Sequence, residues 1–222
     1  MLNPLDTAPL VGFNAYQYIQ QQDGAVPPFL AICDDDTAIT ALGGPFYYGA
    51  AGADITQSSG SPATDRLQYV PFWSRCGGIL SEIAFFLVAN GTAGSVARCG
   101  LYNADQKTLL PTTLVVDGGQ QATDAGGPNV LKTTTLNPLI TLLPNTLYYT
   151  AFVCGTASPS VATYGSGWHP LGRSGTTSNS IFGLQRTSFT YAALPVVAPA
   201  ATALMTSTPC QVQVRYKSLF RP

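Results

Sequence analysis

The chain has 222 residues, a formal net charge of -1 and only 9% charged residues, against roughly 25% in an ordinary soluble domain. Glu82 is the single glutamate, Lys107, Lys132 and Lys217 are the only lysines, and residues 133–172 hold no charged side chain. That composition excludes a solvated helical bundle, which needs long charged faces, and a phosphate-binding surface, which needs a basic stripe. A surface this neutral does little to discourage association, so we expect much of it to be covered by partners or displayed outside a cell.

Residues 1–65 read as an extended, loop-rich N-terminal arm. Pro4, Pro9, Pro27, Pro28, Pro45 and Pro62 punctuate it, and each fixes φ and removes a donor. Its aromatic content is too high for a solvated tail. Phe13, Tyr16, Tyr18, Phe29, Phe46, Tyr47 and Tyr48 are therefore expected to pack onto a surface, either the chain's own domain or a neighbour's. Residues 54–64, with Gln57-Ser58-Ser59-Gly60-Ser61-Pro62, read as a linker.

From residue 66 to 222 the pattern is short strands and turns. Residues 80–88 alternate, with Ile83, Phe85 and Leu87 facing one way and Leu80, Ala84, Phe86 and Val88 the other. Asn90-Gly91 is a turn signal. Residues 95–102 place Ala97, Cys99 and Leu101 on one face, with Val96, Arg98 and Tyr102 on the other. Residues 112–116 form a short strand closed by Asp117-Gly118-Gly119, and residues 130–136 and 139–143 form two more. Residues 147–154 set Leu147, Tyr149, Ala151 and Val153 against Tyr148, Thr150, Phe152 and Cys154. Residues 181–184 and 188–194 are strand candidates, residues 192–208 a long loop or edge, and residues 211–216 a final strand. Turns every 8 to 15 residues indicate an all-β, antiparallel β-sandwich or jelly roll.

Chemistry is sparse. His169, in Trp168-His169-Pro170, is the single histidine, and zinc wants three or four ligands. Asp105 and Asp124 could complete a triad or a glycosidase pair, but no nucleophile elbow occurs and there is one glutamate to draw on. Asp34-Asp35-Asp36 lacks the alternation and distal glutamate of a calcium loop and reads as a helix start or a solvated turn. Five widely spaced cysteines without a CxxC pair give neither a disulfide framework nor a metal site; Cys99 and Cys154 read as small buried hydrophobes. We expect no enzyme activity, no cofactor, no metal and no nucleic-acid binding. No basic, apolar leader opens the sequence, and no apolar run approaches the ~20 residues of a membrane helix, so we expect synthesis in a cytoplasm and no membrane partner.

Four places between residues 66 and 163 resemble a module of tailed-bacteriophage structural proteins. Tyr69-Val70-Pro71-Phe72 resembles its entry strand. Ala93-Gly94-Ser95-Val96-Ala97-Arg98-Cys99-Gly100-Leu101-Tyr102 resembles its "AGS…R-L-G-I-Y" strand. Leu114-Val115-Val116-Asp117-Gly118-Gly119 resembles the short strand that follows, and Leu143-Pro144-Asn145-Thr146-Leu147-Tyr148-Tyr149 the "L-P-G-L-Y-W" strand. Cys99, Asn145 and Tyr149 depart from the pattern. The resemblance implies a β-sandwich of the kind found in capsid decoration proteins, head fibres and tail fibres, commonly trimeric. The expected role is a virion structural protein that decorates the capsid as a homotrimer, with the 1–65 arm attaching it to the major capsid protein or another virion protein. The alternative is a short tail or head fibre that meets a host surface receptor through a loop carrying Trp168 and His169.

Overall fold

The computed structural model describes residues 33–34, 47–49, 57–74, 77–155, 159–164, 171, 181–207 and 209–220. Among them the chain is all-β, with β1 (Tyr48–Gly49), β2 (Gln57–Gly60), β3 (Leu67–Ser74), β4 (Gly78–Ala89), β5 (Val96–Ala104) and β6 (Pro111–Ala122) in the first half. Then follow β7 (Val130–Leu142), β8 (Thr146–Cys154), β9 (Ser160–Tyr164), β10 (Gly183–Arg186), β11 (Ala203–Met205) and β12 (Val212–Leu219). They build two antiparallel sheets, the expected β-sandwich. One has the order β1-β12-β4-β9-β2, with β7 also paired to β4; the other has the order β11-β10-β3-β8-β5-β6.

Period-two alternation aims one set of side chains between the sheets. Ile83, Phe85 and Leu87 of β4 and Val212, Val214 and Tyr216 of β12 meet Ala97, Cys99 and Leu101 of β5 and Phe152 and Cys154 of β8. The Phe85 and Phe152 rings pack edge to face, 5.3 Å between centroids. The outer face of the second sheet is also covered, with Tyr69, Tyr102, Tyr149, Ala151 and Val153 under residues 187–202. The predicted two-faced β8 is therefore correct on both faces.

Five expectations change, three of them at bulges or register shifts. Leu80 joins the core with Ile83, against the predicted alternation. The pairing of β4 shifts between Leu80 and Glu82 against both β7 and β12, so Ser81 is an extra residue that reverses the phase. Asp117-Gly118-Gly119 does not close a strand, because β6 continues to Ala122. The register skips between Arg98 and Gly100, and the Asp117 carboxylate accepts the Gly119 N–H at 2.9 Å, which holds the bulge. The two expected strands merge into the single strand β7, which ends at Leu142 and whose pairing partners jump from Thr135 to Ile140. Residues 57–60 of the expected linker are β2, paired along β9 from Gln57↔Tyr164 to Gly60↔Val161. Residues 188–194 are not a strand; they belong to the segment lying over β3, β5 and β8.

Candidate functional site: the strap at Arg215 and the apolar rim

Two features stand out on the sandwich. The first lies on β12, where two stretches from the arm side of the chain converge. Cys33 is buried in the core, and the Asp34 N–H donates to the Tyr216 carbonyl at 3.0 Å. Asp34 then accepts from Arg215 Nε at 2.7 Å, while Arg215 Nη1 donates to Glu82 Oε1 at 2.9 Å. The Tyr47 hydroxyl donates to the other Glu82 oxygen. Next in sequence, Tyr48 pairs with Val214 and Gly49 with Gln213, and the Tyr48 ring leans on Tyr216 at 6.2 Å. A Cβ at Gly49 would sit 2.7 Å from the Tyr164 hydroxyl oxygen, so a larger residue there would displace that ring.

Alternation explains the geometry. Arg215 lies between the core residues Val214 and Tyr216 and so projects from the outer face of β12. Its registered partner is Glu82, on the outer face of β4. Burial opposes the guanidinium charge, but the bonds from Asp34 and Glu82 outweigh it and hold its pKa above the ordinary value. Burial and the adjacent Glu82 carboxylate push the Tyr47 hydroxyl up to about 12, so it stays a donor at any physiological pH. We call residues 33–34 with 47–49 the strap.

The second feature is an apolar rim on the outer face of the second sheet. Residues 187–202 are fastened by carboxylates and tyrosines. Asp65 accepts the Tyr191 N–H and Asp117 the Leu194 N–H, and Asp117 is itself held by Arg98 at 2.7 Å. Tyr102 and Tyr69 donate their hydroxyls to the carbonyls of Pro195 and Pro199 at 2.8 and 3.2 Å. Leu114 N–H donates to Val196 O, and Ala198 N–H to Thr112 O. On this fixed backbone Val196 and Val197 remain 74% and 68% exposed. Leu109 and Leu110 stand exposed in the loop before β6, with the Leu109 carbonyl pinned by the Tyr149 hydroxyl. Trp73 is exposed near the end of β3, opposite Leu147.

Of the predicted contact residues, Tyr47 and Tyr48 pack on their own chain's sandwich. Phe13, Tyr16, Tyr18, Phe29 and Phe46, and the Trp168–His169 pair, lie outside the described residues. Asp105 accepts the N–H groups of Lys107 and Thr108, and those bonds lower its pKa. Asp124 accepts the Gly94 N–H. Both are occupied in turns, and Asp34 is in a turn but ion-paired. Cys99 and Cys154 are buried, as read, and so are Cys33 and Cys210. Among the described residues no helix is long and apolar enough to cross a membrane. The Arg215 network escapes a sequence reading because Asp34 lies 181 positions away; the rim was signalled only by Val-Val inside a Pro/Ala tract. No protein-family model matches the chain, and no curated protein matches it.

Proposed function

We propose that this chain is a non-enzymatic structural protein of a bacteriophage virion, a capsid decoration (cement) protein that binds the outer capsid surface as a homotrimer. The observation that carries the reading is the rim of Trp73, Leu109, Leu110, Val196 and Val197. Large apolar side chains left exposed on a fixed backbone are suited to meeting a partner surface. Here the backbone beneath them is already fixed by hydrogen bonds, so docking costs little ordering entropy. The low charge of the chain and its resemblance to phage structural modules between residues 66 and 163 support the same reading. In it, the protein is made in the host cytoplasm and leaves with the particle.

Replacing Val196 and Val197 together by Asp tests it. Both side chains are exposed, so the melting temperature should barely change. Co-sedimentation with particles lacking the protein should be lost. Normal co-sedimentation of the variant would overturn the role of the rim.

One observation favours a second reading, a short tail or head fibre that recognises a host glycan or protein. An open groove of about 420 Å³ is lined by Ser58, Ser59, Phe86, Val88 and Asn129, which combine hydrogen-bonding groups with an aromatic ring and no charge. Copy number separates the two. Decoration requires copies in proportion to the major capsid protein, and a fibre requires copies in proportion to the tail or a vertex.

A further inference from the structure

We propose that the open groove between β2 and β4 is a binding site for a neutral saccharide, with Phe86 as its stacking platform and Ser58, Ser59 and Asn129 as its hydrogen-bonding groups. The proposal rests on the second of the two readings above, to which it adds the ligand class and the residues that recognise it.

Pairing within the first sheet positions the groove. Phe85 and Leu87 point into the core, so alternation turns Phe86 and Val88 to the outer face of β4, where both are only half-buried. On one side β4 pairs with β7, and Phe86 is registered with Leu131. On the other side it pairs with β9 at Leu87↔Val161, and Val161 pairs in turn with Gly60 of β2. A single strand therefore separates Phe86 from Ser58 and Ser59, a span of two strand spacings or roughly 10 Å. Asn129 is tied beside Val88, to whose carbonyl its N–H donates at 3.2 Å. Its φ of 58° is the left-handed conformation that asparagine adopts more readily than most residues.

The lining selects the ligand by elimination. Among the described residues no charged side chain lines the groove, so a phosphate, sulfate or carboxylate would meet no counter-charge. A purely apolar ligand would cover two hydroxyls and an amide without offering them a partner, which is unfavourable. A neutral sugar satisfies both halves. Its hydroxyls donate to and accept from Ser58, Ser59 and Asn129, whose side chains do both, while the C–H face of its ring meets the electron-rich face of Phe86. The volume of about 420 Å³ lies within the roughly 300–1,000 Å³ of small-molecule sites, which suits a short saccharide. The three polar residues are exposed, whereas polar groups around the β6–β7 loop are committed to turns. Ser95 bonds Thr123, Asp124 accepts the Gly94 N–H, and Lys132 Nζ donates to the Ala125 carbonyl.

Saturation-transfer NMR on the full chain tests this. The probes are glucose, galactose, mannose, rhamnose, N-acetylglucosamine and oligosaccharides released from the host surface by mild acid, with glucuronic acid as the anionic control. The expected result is saturable transfer to the ring C–H protons of at least one neutral sugar. Phe86→Leu, which keeps the apolar bulk and removes the aromatic face, should reduce that transfer to background. Asn129→Gly, which keeps the left-handed backbone, and Ser59→Ala should each weaken binding several-fold, the loss expected of one neutral hydrogen bond. Both of these positions are exposed, so they carry the test if Phe86→Leu alters the melt. Transfer to no neutral sugar, or transfer undiminished in the folded variants, overturns the proposal. Adsorption of the tagged protein to host cells is measured alongside. Adsorption that survives periodate treatment of the cells and persists in the variants overturns the saccharide site and leaves the fibre reading standing with a protein receptor. Absence of both transfer and adsorption overturns the site and the fibre reading together.

Discussion

Replacing Arg215 with Ala removes the cation between Asp34 and Glu82 and leaves the two carboxylates facing each other. Hydrogen bonds to charged groups in partly buried positions carry about 1–3 kcal/mol, so Arg215→Ala should lower the urea-unfolding free energy by about that amount. Lys should recover only part of it, because a point charge cannot serve both carboxylates as the guanidinium fork does. In the core, Phe85 and Phe152 are both essentially inaccessible, and truncating either to Ala should cost about 3–5 kcal/mol. Burial pushes the Cys99 thiol up to about 12, and Cys210 also lies well above its ordinary value. Both stay protonated near neutral pH, so a disulfide exchange reagent should modify them only after denaturant is added; rapid labelling in the folded protein would contradict their placement. Burial likewise raises Tyr69 and Tyr102 above the ordinary tyrosine value. The unfolded chain then releases its tyrosine protons first as pH rises. Stability from these groups is fully present below a pKa of about 10 and declines above it, a slope that Tyr69→Phe and Tyr102→Phe should flatten in denaturant titrations.

At the level of the strand, whatever followed simple alternation was readable. β8 separates Tyr149, Ala151 and Val153 from Phe152 and Cys154 as its sequence predicts. What failed to show in the sequence was pairing register. Nothing local announces that Ser81 is an extra residue, because its effect exists only against β7 and β12. Gly118-Gly119 reads as a terminator for the same reason, since a bulge and a turn use the same residue. Residues 188–194 alternate well enough to suggest a strand, yet their main-chain groups go to Asp65 and Asp117. Gly100 gives this covering segment its seat: a Cβ there would lie 2.3 Å from Leu194 Cδ1 and 2.6 Å from Val116 O. Gly100→Val should therefore displace Leu194, costing about 1–3 kcal/mol by overpacking, and limited proteolysis should cut within residues 187–202 of the variant before the rest of the sandwich.

For the whole molecule, low charge and frequent turns were enough to set the class, while the surfaces that matter came from long-range contacts. The aromatic arm was legible as a segment that must pack. Its described part, with Tyr47 and Tyr48, packs on the sandwich, and Arg215 and Glu82 receive it across separations no local pattern encodes. The sandwich also takes in residues on the arm side of position 66, with Cys33 in its core and β1 and β2 in its first sheet. Removing residues 1–64 should accordingly lower the melting temperature sharply as well as abolish attachment. The claim that this chain works by being built into a particle is tested most directly by quantitative mass spectrometry of purified virions. The account predicts the chain in every particle, at a copy number in fixed proportion to the major capsid protein; its absence from virions purified from cells that express it would contradict the account.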